Sequence, residues 1–398
     1  MRRNKLIQTT SCHADSVCCG CAACFNACPK QCLKMIPNDD GFVHPSVDLT
    51  MCVDCGLCEK VCPVLYPFSE TEPITTIAAI NKDNEVRKKS SSGGFFYALA
   101  EMVISRNGVV FGASFDEHWN VCIDHTDSIE GVKRFQGAKY VQAEIGKSYI
   151  QARTYLKEGR WVLFTGLPCQ ISGLKHFLNK DYEKLITAEC VCHSVPSPKV
   201  WHSFLNSVSK GRSIKNINFR NKDKGWSNYG YQMVIFFKNG ESFKSPSSSD
   251  YMQGMVRNLT VRPSCAKCTA KNGRSNADFS MGDYWGVWDL MPEMDDNKGT
   301  SIVIVFTKKA LDLLSTLNIK VKHASLDEAR KYNIGLDRPF PLHKNYKVFF
   351  RYLEKIPTKI LLLKYLHETN EFKMFIHLIL KLFKMFIHLI LKLFKMFK

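Results

Sequence analysis

The sequence predicts a protein of the α+β and α/β classes, with a small cysteine-rich domain, a mixed α/β core and a C-terminal amphipathic helix. Three observations support this class. Eleven of the 17 cysteines fall in the first 62 residues, and an 11-residue segment recurs near the C-terminal end. Strand and helix patterns alternate from about residue 75 onward. Because hydrophobic residues make up 45% of the 398-residue chain, we expect two or three folded domains rather than disorder.

The N-terminal cysteines repeat one spacing. The pattern Cys-x2-Cys-x2-Cys-x3-Cys-Pro begins once at Cys18 and once at Cys52. In bacterial ferredoxins with this spacing, three thiolates bind one 4Fe-4S cluster and the fourth binds the other cluster. The spacing therefore predicts a two-cluster, ferredoxin-like domain over residues 1–68. Cluster one would use Cys18, Cys21, Cys24 and Cys62, and cluster two would use Cys52, Cys55, Cys58 and Cys28.

Two alternatives compete for these cysteines. A pair of zinc sites would use separated Cys-x2-Cys pairs rather than two intact runs of four. A disulfide scaffold would accompany a secretory signal, but the first residues contain no apolar segment of about 7 to 15 residues. We therefore expect a cytoplasmic protein that binds iron-sulfur clusters. Cys12, Cys19 and Cys32 lie outside the pattern, and we interpret them as thiols without a role.

The core is expected to have two parts, residues 75–150 and residues 151–345. A proline-containing stretch at residues 63–73 is the predicted linker. In the first part, the pattern predicts a helix from Phe95 to Arg106 and a strand from Val109 to Ala113. Serines and glycines at 90–94 precede this helix, where free backbone amides can bind an anion. Serines that only cap the helix would explain the same residues.

The second part follows strand, loop and helix order. A strand from Trp161 to Thr165 leads through a tight loop into a helix that ends at Leu178, and a further strand covers Leu185 to Cys192. Loops that follow strand ends bind ligands in such sheets. We therefore expect Cys169 and Cys192 at a ligand-binding edge.

Further along the chain, two more strands and another cysteine pair are expected. The strands cover Ile217 to Arg220 and Tyr231 to Phe237, and Asn239-Gly240 indicates a hairpin turn. Cys265 and Cys268 form a lone Cys-x2-Cys pair, which fits a redox dithiol, half of a zinc site or half of an iron-sulfur site.

Seven segments of the core together resemble the beta-subunit family of coenzyme F420 hydrogenases and dehydrogenases. They are KSSSGGFF at 89–96, GAKYVQ at 137–142, LFTGLPCQISGLK at 163–175, CHSVPSP at 192–198, FRNKDKGW at 219–226, RPSCAKC at 262–268 and GDYWG at 282–286. The resemblance covers about residues 75–320, and many bacterial members carry a similar double-cluster domain at the N-terminus. It implies an iron-sulfur flavoprotein oxidoreductase with a flavin-binding core. Such a protein passes electrons between 4Fe-4S clusters and FAD and exchanges hydride with an organic substrate, coenzyme F420 or another conjugated molecule.

The resemblance also implies site residues. The residues expected against FAD are Ser92, Gly93, Gly94, Lys139, Thr165, Gly166 and Pro168. The residues expected to hold a third 4Fe-4S cluster are Cys169, Cys192, Cys265 and Cys268. This chain has Cys-His-Ser at 192–194 where the family commonly has Cys-His-Gly, and Cys190 competes with Cys192 as a ligand.

Four further polar residues are candidates with open alternatives. His193 is a catalytic candidate as a proton donor beside the flavin, because histidine titrates near neutral pH, or else it is a structural histidine. Arg220, Lys222 and Lys224 are candidates for contact with an anionic substrate or a cofactor phosphate, or else they are solvated.

Residues 346–398 form a basic tail. The segment KMFIHLILKLF at 373–383 recurs at 384–394, and its lysines and histidines fall on one stripe of a helix. The lysines interrupt the apolar run before the roughly 20 residues that a membrane span needs. We therefore predict a helix that lies peripherally on the inner face of the membrane. A partner-helix interface and a duplication without a role are the alternatives.

The expected partners are an electron donor or acceptor protein and an organic hydride-accepting substrate. A net charge of +18 alone would fit a nucleic-acid binder, but the cluster-binding domain argues against one, so no nucleic acid is expected. The alternative function is a non-catalytic electron-transfer subunit that serves a separate catalytic partner.

Overall fold

A computed structural model describes residues 17–366, and these form an N-terminal unit attached to a large mixed α/β core. The expected combination of α+β and α/β structure is confirmed in this coarse sense. Cys12 and the repeat at 373–394 lie outside the described residues. Residues 346–366, predicted as the first part of the basic tail, instead pack into the core through Phe349, Leu361 and Leu362. Within residues 17–366, no helix is both long and apolar enough to cross a lipid bilayer.

The N-terminal unit consists of short elements around the two cysteine runs. Helices α1 (Ala23–Ala27) and α2 (Leu57–Lys60) each contain one cysteine of a run, and strands β1 (Leu33–Pro37) and β2 (Val43–Val47) form an antiparallel hairpin. Its own buried apolar cluster is small and contains Cys24 and Leu33. A unit with so little core is typical of domains that bound metal holds together.

The core is built on an eight-stranded mixed sheet. Its strands are β3 (Thr75–Asn81), β4 (Val109–Phe115), β5 (Val121–Thr126), β6 (Val162–Gly166), β7 (Leu185–Cys190), β11 (Phe279–Asp283), β12 (Ser301–Val305) and β13 (Ile319–His323). They lie in the order β13-β3-β12-β11-β7-β6-β4-β5. The inner strands β4, β6, β7 and β11 are parallel to their neighbours in that group, and the remaining pairs are antiparallel. A separate antiparallel sheet contains β8 (Ile214–Asn221), β9 (Gln232–Phe237) and β10 (Ser242–Pro246), with β9 in the middle.

Strand β7 ends two residues earlier than the sequence predicts. The amide of Val191 still donates to the carbonyl of Met281 at 2.9 Å, but Cys192 already belongs to the following loop. The parallel edge therefore ends at Cys190, and Cys192 lies beyond it.

Helices cover both faces of the large sheet. They are α3 (Asn84–Lys89), α4 (Phe95–Ser105), α5 (Ile129–Val132), α6 (Ser148–Lys157), α7 (Pro168–Leu178), α8 (Pro198–Ser209), α9 (Asp250–Val256), α10 (Val287–Leu290), α11 (Lys308–Leu313), α12 (Leu326–Tyr332), α13 (Tyr346–Tyr352) and α14 (Thr358–Leu366). One face of the sheet packs on α4 and α11 around residues such as Phe279 and Val303. The other face shares its apolar core with α6 and α7 and with Cys21, Ala22 and Ala23 of the N-terminal unit.

A buried arginine joins the N-terminal unit to the core. Arg262 is 1% exposed. Its Nε donates to the carbonyl of Cys18 at 2.8 Å and its Nη2 to the carbonyl of Val43 at 3.0 Å. On the core side, Nη1 donates to Gln142 Oε1 at 3.2 Å. One side chain thus satisfies acceptors on both sides of the junction.

Helix α7 approaches the N-terminal unit closely because it carries a glycine. A Cβ placed on Gly173 would lie 2.9 Å from Cys21 Sγ and 3.0 Å from its Cβ. Real Cβ atoms do not tolerate such contacts in a close-packed interior. Gly173 therefore sets the short distance between the first cysteine run and the core.

We expect Arg262→Met to loosen the N-terminal unit while the large sheet stays folded. The substitution keeps the volume but leaves buried acceptors at Cys18 and Val43 without their donor. Unsatisfied buried acceptors of this kind should lower the free energy of local opening by about 3 kcal/mol. Hydrogen exchange would measure faster exchange at residues 18–47 and unchanged exchange in β6 and β7.

Arg212→Met is the matched control. Arg212 is partly exposed and pairs with the exposed Glu241, and both residues belong to the α/β core rather than to the N-terminal unit. Equal protection of residues 18–47 in wild type and in Arg212→Met is expected. Equal protection in Arg262→Met as well would contradict the bridging role of Arg262.

Candidate iron-sulfur centres and anion cleft

The four cysteines predicted for cluster one lie together where the N-terminal unit meets α7. Burial raises the pKa of the Cys24 thiol well above its ordinary value, and the neighbouring thiols of Cys18 and Cys62 raise it further. Burial also raises the pKa of Cys62 to about 11, with Cys18 among its neighbours. Cys21 is buried against Gly173. The first run and the last cysteine of the second run therefore meet, as the crossed ligand pattern requires.

The cysteines predicted for cluster two line a concave space of about 380 Å³ at the other end of the unit. Its cysteine lining consists of Cys28, Cys52, Cys55 and Cys58, together with Cys32. Cys32 was expected to have no role, yet its Sγ lies 3.4 Å from Cys28 Sγ. Cys55 is exposed to solvent, whereas Cys21 and Cys24 of the other set are buried. This second set is thus the outer one.

A third set of cysteines lines an open pocket between the N-terminal unit and the core. Cys169, Cys192, Cys265 and Cys268 all lie on its wall, although they come from the start of α7, the loop after β7 and the segment at 263–268. Burial raises the pKa of the Cys192 thiol well above its ordinary value, and Cys265 and Cys268 add to that shift. Cys190, the competitor of Cys192, is not part of this lining.

The arrangement of the donors fits clusters better than single ions. Among residues 17–366, no three His, Cys, Asp or Glu side chains are placed to hold one metal ion. A single zinc ion needs sulfurs about 2.3 Å from one centre, whereas a cubane separates its four thiolates by its own width. The thiols of the second and third sets line open spaces, as thiolates around a cubane do.

Cys19 connects two of these sets. Hydrogen bonds from Cys169 and then from Cys21 lower the pKa of the half-buried Cys19 thiol well below its ordinary value. Cys19 therefore touches one cysteine of the first set and one of the third. The sequence pattern assigned it no role, because contact with Cys169 depends on how the two units pack.

His193 lies in the third cysteine set. Its ring stacks on Phe340 with centroids 4.6 Å apart, and it lines the same pocket as Cys192. Burial lowers the pKa of His193, and the positive charge of Lys271 lowers it further. The histidine is therefore neutral at pH 7, and its environment is that of a packed ring. Proton donation to a flavin remains a prediction without a contact to support it.

The segment at 92–94 is anchored to the sheet ahead of α4. Ser92 Oγ donates to the carbonyl of Thr300 at 2.7 Å, and the Gly93 amide donates to Ser301 Oγ at 3.0 Å. A Cβ on Gly93 would lie 2.3 Å from the Ala79 carbonyl oxygen, so only glycine fits there. The residue that caps α4 is Gly94, with no side-chain cap. The alternative in which a serine caps this helix is therefore wrong, and the first amides of α4 stay available to an anion.

Lys139 lies beside this segment. Its Nζ donates to the carbonyls of Gln136 and Gly137 at 3.2 and 3.1 Å. Burial lowers the pKa of Lys139 to about 7, and no ion pair compensates its charge within the described part of the chain. The neighbouring amide of Ala138 donates to Ser91 Oγ at 2.6 Å, which ties the two segments together. A buried lysine without a counter-charge favours an anionic ligand.

Of the three substrate-side candidates of the sequence, Arg220 and Lys222 lie beside Ser91 and Ser92. Arg220 is buried, and its Nη2 pairs with Asp283 Oδ1 at 2.8 Å while its guanidinium lies 3.7 Å from the Tyr231 ring centroid. Lys222 Nζ donates to the carbonyls of Arg87, Ser92 and Lys298, and burial lowers its pKa to about 7. Lys224 is exposed. Asp283 is the counter-charge of Arg220.

The remaining predicted flavin contacts lie at the end of β6. Thr165 Oγ1 donates to the carbonyl of Phe111 at 2.8 Å and is buried. Gly166 ends the strand, and Pro168 begins α7 and lines the third cysteine pocket. The structure thus groups Ser92, Gly93, Gly94 and Lys139, while Pro168 belongs to the wall next to Cys169.

Comparison with protein families gives two matches on this chain. Residues 159–329 match the model for the C-terminal part of the coenzyme F420 hydrogenase/dehydrogenase beta subunit. Residues 17–65 match the 4Fe-4S dicluster domain. The second match covers both cysteine runs of the N-terminal unit, and the first covers all four cysteines of the third set.

Curated relatives match parts of the chain. The F subunit of F(420)H(2) dehydrogenase from Methanosarcina mazei is 25% identical over 182 residues, which is 43% of this chain and 51% of that protein. A polyferredoxin-like protein of Methanocaldococcus jannaschii is 35% identical over 68 residues, which is 15% of this chain and 40% of that protein. A 7Fe ferredoxin of Hydrogenibacillus schlegelii is 39% identical over 49 residues, 12% of this chain and 56% of that protein. The chain thus spans about half the length of the curated relatives it matches.

A solved structure also aligns with the chain. It is a chain of the F420-reducing NiFe hydrogenase complex from Methanosarcina barkeri, with a TM-score of 0.47 and 18% identity. The alignment covers 71% of this chain and 93% of that chain.

We expect Cys265→Ala to remove the iron of the third set only. A cubane that loses one of four thiolates is poorly held, so about four irons per chain should be lost while the N-terminal clusters stay. Iron and acid-labile sulfide per chain, measured after anaerobic purification, would report the loss. Cys122→Ala is the control, because Cys122 lies near Ser114 and outside all three sets. Unchanged iron in Cys265→Ala would exclude this cysteine as a ligand.

Proposed function

We propose that this member of the coenzyme F420 hydrogenase/dehydrogenase beta-subunit family, which carries a 4Fe-4S dicluster domain, is an iron-sulfur flavoprotein oxidoreductase. It exchanges electrons between a protein partner and an organic acceptor. The acceptor is coenzyme F420 or another conjugated molecule that can take two electrons.

The observation that carries this proposal is the sequence of contacts among the three cysteine sets. The outer set contains the exposed Cys55, the next set packs on α7, and Cys19 then links that set to Cys169 of the third. Three redox centres held this way form a continuous route from the surface into the core. Little movement is needed at any of them, because the ligands are held by packed backbone.

The flavin part of the proposal depends on the segment at 92–94 and on Lys139. FAD, when bound, exchanges two electrons with an organic molecule and single electrons with iron-sulfur clusters. The uncapped start of α4 and the uncompensated charge of Lys139 supply what a dinucleotide's phosphates need. Lys222 holds the carbonyl of Ser92 in place, so it orients the segment that would contact the phosphates.

Anaerobic purification followed by iron, sulfide and flavin analysis tests the proposal directly. We expect about 12 irons and one FAD per chain, because three cubanes and one flavin are proposed. The same sample should then reduce coenzyme F420 or another conjugated acceptor when a reduced viologen supplies electrons. About eight irons without flavin would overturn the flavoenzyme and leave an electron-transfer subunit that serves a separate catalytic partner.

We also expect FAD binding to depend on pH through Lys139. In the flavin-free protein the pKa of Lys139 is about 7, so the lysine loses its charge as the pH rises above that value. A phosphate prefers the charged lysine and raises its pKa. FAD binding therefore takes up a proton. The Kd for FAD should rise by up to about tenfold per pH unit above pH 7. Titration of deflavinated protein with FAD between about pH 6 and 8.5 measures this slope.

Lys139→Met should bind FAD more weakly at about pH 6.5, and its Kd should rise less steeply with pH than in the wild type, because Lys222, whose pKa burial also lowers to about 7, stays beside Ser92. Lys184→Met is the matched control, because Lys184 also donates to a backbone carbonyl, that of Gly159, but at an exposed position. The control should keep both the wild-type affinity and its slope. An affinity and a slope equal to those of the wild type in Lys139→Met would contradict the assignment of Lys139 to the phosphates.

A further inference from the structure

An apolar patch surrounds the outer cysteine set. Leu49, Met51, Val53 and Leu57 are 64%, 52%, 58% and 39% exposed, and we call these four residues the cluster-two surface. They lie close together along the chain, and Val53 and Leu57 line the same concave space as Cys55. Single exposed apolar residues are common on proteins, but several of them beside a candidate cofactor site indicate an interaction site.

The turn that presents this surface is well ordered by hydrogen bonds. Asp48 Oδ1 accepts from the Thr50 amide at 3.0 Å and from Thr50 Oγ1 at 2.6 Å. The carbonyl of Asp48 accepts from the amide of Cys52 at 3.1 Å. Leu49 and Met51 are therefore held outward by the geometry of the turn.

The charge around this surface differs from that of the chain. Residues 17–65 contain three lysines and five aspartates or glutamates, whereas the whole chain has a net charge of +18. The hydrogen bonds from Thr50 lower the pKa of Asp48, so this carboxylate stays ionised. Cubanes with four thiolate ligands add further negative charge. Lys30 lines the same concave space, and residues 17–65 carry a net charge of −2 before any cluster charge is counted. The cluster-two surface is thus apolar at its centre, and the unit around it becomes negative chiefly through its bound clusters.

We propose that the cluster-two surface is the docking site for a one-electron redox protein with a basic face around its own redox centre. This proposal rests on the proposed function and adds the chemistry of the protein partner and the place where it binds. In the encounter, one electron passes between cluster two and the partner's centre, one being oxidised as the other is reduced. No bond forms or breaks, and no proton is transferred. Contacts of this kind are small and transient, and opposite charges speed the encounter.

Stopped-flow reduction of cationic cytochrome c tests the docking site on the whole chain. The anaerobically reduced protein should reduce ferric cytochrome c at a rate that falls steeply between about 20 and 300 mM salt, because screening weakens the attraction. An acidic plant-type ferredoxin or flavodoxin of suitable potential should react more slowly at low salt. Oxidation by a small viologen measures the clusters without docking.

Two variants separate the apolar centre from the charge. Leu49→Ser combined with Met51→Ser should slow cytochrome c reduction about tenfold at all salt concentrations, with an unchanged viologen rate. Asp54→Asn should lower the rate about two- to threefold at low salt only. Asp54 has a φ of +50°, a conformation that asparagine adopts readily, so this variant should fold normally. Val321→Ser on the core and Asp312→Asn on α11 are the matched controls, at exposed positions far along the chain.

Each alternative occupant has its own outcome. Wild-type rates in the Leu49→Ser and Met51→Ser variant, or faster reaction with the acidic carrier, would overturn the proposal while the cluster and flavin content stays as proposed. Sedimentation that shows a dimer lost in this variant would assign the surface to a second copy of the chain. A many-fold faster reaction after removal of residues 373–398 would assign it to that segment instead. Failure of the proposed function itself would appear separately, as missing iron or flavin.

Discussion

The guanidinium of Arg262 is shared between two units that otherwise have little in common. On one side it meets carbonyls of Cys18 and Val43, and on the other it meets Gln142. Because these acceptors are buried, their hydrogen bonds fix the orientation of the N-terminal unit on the core as well as stabilising the contact. The positions of Cys19 and Cys21 relative to the core follow from that orientation, and so does the contact of Cys19 with Cys169. Arg262 is thus one of several contacts that fix the route from surface to interior, beside the close packing of Cys21 on Gly173 and the hydrogen bond from Asn26 to the carbonyl of Gly146 at 2.9 Å.

Charge in the interior is arranged unevenly around the predicted flavin segment. Arg220 is neutralised by Asp283, and Arg87 is neutralised by Asp296. Lys222 and Lys139 are instead surrounded by carbonyl oxygens, and burial lowers the pKa of each to about 7. The paired arginines stabilise this part of the fold. The lysines place positive charge without a carboxylate partner beside the uncapped start of α4. Such a division is expected where a multiply charged ligand supplies the missing counter-charges.

The sequence was most informative where chemistry restricts spacing. Cysteine runs must match a cubane, so the grouping of the N-terminal sets could be predicted, and the strand, loop and helix around Cys169 followed from periodicity. Contacts between distant segments were missed, since Cys19 meets Cys169 and Arg262 meets Cys18 only after both units pack. The strand pattern also did not reveal that β3 and β12 extend the sheet, or that β7 ends at Cys190. A strand ends where its hydrogen-bond partners on neighbouring strands end, and those partners are distant in the sequence.

The third cysteine pocket has a consequence for how exposed a bound cofactor would be. Its wall includes Pro63 and Val64, which directly follow Cys62 of the first set, and Val17, which directly precedes Cys18. Closing the N-terminal unit over the core therefore narrows the entrance to Cys169, Cys192, Cys265 and Cys268. A cubane held by these four thiols would be shielded by the N-terminal unit, so its damage or loss would depend on local opening at the junction to which Arg262 contributes.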